Sequence, residues 1–122
     1  MTTASGHTSA IRAKKVIGTD VKDASGAKIG KVEDVMLDKQ SNNIMFAVVG
    51  FGGFLGLGND HYPLPWQSLK YDTRIGGYRT GVTEDQLRGA PKYSGENDWN
   101  WADAARNRGL DEYYGVSGMP LV

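Results

Sequence analysis

The run "IMFAVVGF" at residues 44–51 constrains the fold more than any other stretch. Its β-branched and aromatic side chains favour extended backbone, and it is apolar on both parities: Ile44, Phe46 and Val48 on one, Met45, Ala47, Val49 and Phe51 on the other. A strand with one wet face alternates apolar with polar residues. This one does not, so both of its faces need cover. The cover must come from a distant part of the chain, with the C-terminal tail as the candidate, or from another subunit.

The surrounding sequence reads as further short strands separated by turn chemistry. "VIGTDV" (16–21) is one strand, and "DASGAK" (23–28) is a turn in which Asp and Ser bond nearby backbone and Gly26 supplies a positive φ. "IGKVEDVMLD" (29–38) is a second strand whose apolar positions change parity, which a bulge near Glu33 and Asp34 would reconcile. After the turn "KQSNN" and the two-faced strand comes "HYPLPW" (61–66). Pro63 and Pro65 lie on one edge and lack N–H groups, so this reads as an edge strand, with Tyr62, Leu64 and Trp66 as its apolar stripe. "SLKYDTRIGGYRTGV" reads as a hairpin turning at Gly76–Gly77. In "TEDQLRGAP", Thr83 and Gln86 form a capping box that opens a helix, and Gly89 and Pro91 end it. Strands at such short intervals imply a small all-β barrel or sandwich. We expect Val16, Val32, Val35, Leu37, Phe46, Val48, Leu64 and Trp66 in its core.

The tail differs in composition. It carries Trp99, Trp101, Tyr113 and Tyr114, whereas disordered tails are poor in aromatics. Asp98 is positioned to cap a helix that starts at Trp99, continues through Ala104, Ala105 and Arg108, and stops at Gly109.

Several function classes are poorly supported. The 122 residues contain no cysteine, which excludes disulfides and thiolate sites, and the formal net charge is zero. Zero net charge argues against a dedicated nucleic-acid binder. The charge is nonetheless uneven: residues 1–31 hold six Lys or Arg against two Asp, and the tail from Lys92 holds five acids against three bases. No apolar run is long enough for a transmembrane helix, and "MTTASGHTSAIRAKK" lacks the apolar stretch of a secretory signal.

The glycine-rich segment "GFGGFLGLG" invites a phosphate-loop reading that its spacing refuses. From Gly50 the dinucleotide frame fails at Leu55. From Gly53 the Walker frame reaches Gly58, but Asn59 and Asp60 follow where Lys and Ser or Thr are required. No helix follows to hold an anion. The segment reads as a hairpin loop whose Phe54, Leu55 and Leu57 are unusually apolar for a turn. His61 has only Asp60 as a nearby metal-ligating neighbour, too few for a site. No serine lies in a G-x-S-x-G elbow. Glu33 and Asp34 are adjacent and point to opposite faces of a regular strand, unless a bulge brings them together.

Taken in order, "IGKVEDV", "GFGGFLGLG" and "PW" followed by "SL" resemble the PRC-barrel family, known from the cytoplasmic domain of the photosynthetic reaction centre H subunit and from the C-terminal half of a ribosome maturation factor. The likeness spans about residues 15–91. It implies a small, partly open antiparallel β-barrel, here with a short helix and an aromatic, partly helical C-terminal extension. It implies roles in assembly and binding, with no catalytic residues and no cofactor or metal.

The expectations are therefore these. Residues 1–14 are a flexible lead-in, 15–91 the barrel, and 92–122 an extension docking on the barrel or on a partner subunit. The protein is a cytoplasmic, non-enzymatic module that binds a protein partner and associates with itself as a dimer or higher homo-oligomer. Its interface draws on Phe51, Phe54, Leu55, Leu57, Trp99, Trp101, Tyr113 and Tyr114. The alternatives are an RNA- or ribosome-associated accessory factor, and a small-molecule binder or enzyme.

Overall fold

A computed structural model describes residues 10–52, 60–94, 101 and 103–115. Six strands form one curled sheet: β1 (Asp20–Lys22), β2 (Lys28–Leu37), β3 (Ile44–Gly50), β4 (His61–Pro65), β5 (Leu69–Asp72) and β6 (Gly77–Thr80). Their order is β4-β3-β2-β1-β6-β5, so β4 and β5 are edges and the barrel is half open. Neighbouring strands of the sheet pair antiparallel, with one exception: β6 returns beside β1 in parallel, Val21 opposite Tyr78. Among the described residues there are also α1 (Ala13–Val16), α2 (Glu84–Arg88) and α3 (Ala104–Tyr113), with a 3-10 turn at Trp66–Ser68.

The expected first strand is shorter than its sequence suggests. Residues 13–16 form a helical turn, Gly18 takes φ 93°, and only Asp20–Lys22 pair as a strand. β-Branching favours extension, but here tertiary contact overrides it. The turn buries Val16, and the Gly18 N–H donates to the Val32 carbonyl at 2.7 Å. The Asp23 turn follows the expected chemistry. Its carboxylate accepts from the Ser25 hydroxyl at 2.6 Å and the Ala27 amide at 3.0 Å, which hold its pKa below the ordinary value.

β2 slips register between Val32 and Asp34, leaving Glu33 as the extra residue. This is the bulge that the change of parity required. It lets Val32 and Val35, on either side of the slip, face the same interior opposite Val49 and Ala47. A second slip between Met36 and Leu37 turns Leu37 outward, where it is 59% exposed. Leu37 is thus a surface residue and not part of the core. Val16, Val32, Phe46, Val48 and Leu64 are buried, while Val35 and Trp66 pack against the core partly exposed.

β4 is an edge strand, and the chain has removed its free donors. The His61 N–H points outward and donates to the Tyr93 carbonyl at 2.8 Å. The next two positions of that parity are Pro63 and Pro65, which have no N–H to leave unpaired. The Pro65 carbonyl accepts from the Ser68 hydroxyl at 2.7 Å.

The two faces of β3 are both covered within one chain. Ala47 and Val49 lie opposite Leu64 and Tyr62 on one face, and Phe51 meets Tyr62 edge-on with centroids 5.1 Å apart. Phe46 and Val48 lie opposite Pro65 and Pro63 on the other. There the Trp101 ring sits 6.0 Å from Phe46 and 6.2 Å from Tyr93. The extension then forms α3, which packs against β4. Its boundaries differ from the expected helix: Asp103 caps it by accepting from the Arg106 amide, and it runs through Gly109 to Tyr113, while the expected cap Asp98 lies outside the described residues. What draws it past the glycine is burial of Asn107, Leu110 and Tyr114, at helical spacing of three and four. The Tyr113 hydroxyl donates to the Gln86 carbonyl at 2.6 Å and ties α3 to α2. The expected capping box of α2 is present, with both Thr83–Gln86 bonds formed.

Candidate functional site

A groove of about 860 Å³ lies on the face of β3 that Trp101 covers. One wall is the end of the β2–β3 hairpin, with Met36 and Met45 half-buried and Leu37 exposed. Phe46 and Pro65 form the floor, and Trp66 stands opposite. Trp66 is braced from behind by Tyr78, whose ring centroid is 5.5 Å away. Trp101 is held by its backbone: its carbonyl accepts from the buried Asn107 side-chain amide at 2.9 Å.

The hairpin wall is itself rigidly turned. Asn42 adopts φ 64°, and the Asp38 carboxylate accepts from the Gln40 amide at 3.0 Å and the Ser41 hydroxyl at 2.9 Å. These bonds hold the Asp38 pKa below its ordinary value. On the helical side, Arg108 and Asp111 stand on the rim, one turn apart. Burial raises the Asp111 carboxyl. Such a groove offers thioether and aromatic surface along its length, with Asp38, Lys39, Arg108 and Asp111 among its lining. Flexible Met side chains adapt to irregular apolar ligands, and aromatic walls supply contact area with little rotamer cost.

A second, polar cluster lies at the β2 bulge. The Tyr93 phenol stands near this bulge, and its pKa is raised first by burial and then by the charges of Asp34 and Glu33. His61 Nδ1 lies 2.6 Å from Glu33 Oε1, and its ring is 5.0 Å from that of Tyr93. Lys92 pairs with Asp60 at 3.4 Å. These polar groups engage one another at the surface. Among the described residues, no group of three His, Asp or Glu side chains is placed to hold a metal ion.

The sequence-expected interface residues divide. Phe51 and Tyr114 are buried in the chain's own core, 4% and 9% exposed. Trp101 lines the groove, and Tyr113 is exposed with its hydroxyl engaged. Phe54, Leu55, Leu57 and Trp99 lie outside the described residues. The sequence reading missed Met36, Met45, Asn107 and Asp111 as groove residues. Only Met36 and Met45, one on each side of the "KQSNN" turn, carried a signal that could have been read.

Residues 9–81 match the PRC-barrel domain family. The chain belongs to this family. The half-open sheet, with its β2 bulge and its proline edge, lies within the matched residues, and Trp101 and α3 lie beyond them. Among solved structures, the barrel is similar to a Pseudomonas aeruginosa protein named for 16S ribosomal RNA processing, RimM. That likeness has 17% identity and a TM-score of 0.46 over 68% of this chain, and the chain spans half of that protein's length. Similarity of this size carries no functional argument. No curated protein matches the sequence. No helix among the described residues is long and apolar enough to cross a membrane.

Proposed function

We propose that this PRC barrel is a non-enzymatic binding module whose groove accepts an apolar peptide segment of a protein partner. The observation that carries this reading is the groove itself: Met36, Met45, Phe46, Trp66 and Trp101 converge on one concave surface, open to solvent and held by hydrogen bonds behind it. Ligand sites are typically concave and mostly apolar, with a few placed polar groups. Arg108 and Asp111 would supply those groups, reading the polar ends or backbone of the bound segment.

Selection from a displayed library of random peptides tests this. Enriched sequences should be rich in large apolar residues, quench or shift tryptophan emission on binding, and lose at least tenfold in affinity to Met45→Glu. Absence of enrichment, or binding indifferent to Met45→Glu in a variant that remains folded, would remove the groove as the site. The rival reading, an RNA- or ribosome-associated accessory factor, rests on the family resemblance to a ribosome maturation factor. It calls for RNA binding that falls steeply with salt, whereas apolar peptide binding in the groove should persist.

A further inference from the structure

A second surface, remote in character from the groove, is the α1 turn, where exposed cations and exposed isoleucines follow one another in the chain. Ile11 and Ile17 are 42% and 43% exposed, although they flank the turn that buries Val16. Between them lie Arg12, Lys14 and Lys15, all exposed. The turn is pinned to β2, because the Gly18 amide donates to the Val32 carbonyl and the Val32 amide to the Thr19 carbonyl at 2.9 Å. This pinning places Ile17 beside Lys28 and Lys31, with which it lines a shallow depression of about 630 Å³.

Of these cations only Lys28 is paired, to Asp20 at 3.3 Å. Arg12, Lys14, Lys15 and Lys31 have no ion-pair partner among the described residues. Counting Arg12, Lys14, Lys15, Lys28 and Lys31 against Asp20 and Glu33, the patch carries an excess of three positive charges on a chain of zero net charge. The compensating acids lie elsewhere, including the acid-rich tail.

We propose that this patch docks the protein on an anionic lipid surface, its cations among the headgroups and Ile11 and Ile17 at the acyl boundary. Two features favour lipid over RNA. The apolar members are aliphatic, whereas single-stranded RNA is gripped by stacking on aromatic rings, and residues 10–19 contain no aromatic side chain. Aliphatic side chains flanked by Lys and Arg are also the composition of interfacial anchors. Each cation near an anionic leaflet should strengthen binding about fivefold, and the effect should fade beyond a Debye length.

Cosedimentation with vesicles tests the proposal, using equimolar phosphatidylglycerol and phosphatidylcholine against phosphatidylcholine alone at low and high salt. Binding should require the anionic lipid and weaken with salt. It should fall about fivefold for each of Lys14→Ala and Lys15→Ala. Ile17→Ser should also weaken it at unchanged charge, while Lys70→Ala, on the far edge strand, should not. All four positions are exposed, and equal unfolding midpoints would certify the fold. No sedimentation with anionic vesicles at low salt would overturn the proposal. So would binding insensitive to Ile17→Ser, or tighter binding to random-sequence RNA in which Ile17→Ser is silent.

Discussion

Tyr114 is the residue whose environment is most at odds with its chemistry. Its hydroxyl is buried with no hydrogen-bond partner among the described residues, and an unsatisfied buried hydroxyl is costly. Tyr114→Phe keeps the ring and removes the orphan. In urea unfolding it should leave the stability unchanged or raise it by up to about 2 kcal/mol; a loss of more than about 1 kcal/mol would show that the hydroxyl is bonded after all. The same burial sets a pH dependence. The phenols of Tyr78, Tyr93 and Tyr114 are all raised above the ordinary value of 10.0, chiefly by burial. A raised tyrosine contributes stability that is complete below the unfolded value and is lost as pH climbs toward the folded one. The protein should therefore lose stability as pH rises above 10, and Tyr114→Phe should lose less. A flat alkaline profile, followed by circular dichroism, would contradict this. Gly30 makes a complementary point: a Cβ there would collide with the Gly50 carbonyl oxygen and crowd the Phe51 ring. Gly30→Ala should cost about 1–3 kcal/mol through overpacking.

At the scale of elements, the legible features were those decided locally. The Thr83 capping box, the proline edge and the bulge at Glu33 could be read because each rests on backbone chemistry within a few residues. The features that escaped were decided at a distance. The "VIG" run became part of a helical turn because Gly18 bonds Val32. Leu37 left the core because of a second register slip that no residue type announces. The last helix moved from Trp99 to Ala104 because Leu110 and Tyr114 found a buried site against the sheet. The groove was only partly legible for the same reason: Trp101 was singled out, but its neighbours come from a hairpin and a helix far apart in sequence. Thr83→Ala should remove the capping box and cost about 0.5–2 kcal/mol, read as a lower denaturant midpoint with unchanged slope. Phe46→Ala should cost about 3–5 kcal/mol, since Phe46 is 2% exposed and supports both the sheet and Trp101. A smaller loss would mean that Trp101 does not seal that face.

For the whole molecule, the two-faced strand was the puzzle the sequence posed, and the described chain resolves it without a second copy. Phe46 and Val48 are both buried within the single chain, and Trp101 stands against Phe46. Self-association therefore draws its motive from the apolar glycine segment, and we propose that Phe54, Leu55 and Leu57 mediate it. Sedimentation equilibrium at micromolar concentration should show a homo-oligomer that Leu55→Asp weakens; a single-chain mass at all concentrations would contradict it. The central claim concerns the groove, and chemical-shift mapping tests it most directly. Titrating a selected apolar peptide into isotope-labelled protein should perturb the Met36 and Met45 methyl groups, the Trp66 and Trp101 indole N–H signals and the Arg108 amide, and leave the strand β5 amides in place. Perturbations centred elsewhere on the barrel, with both indole signals unmoved, would show that the groove is not the binding site.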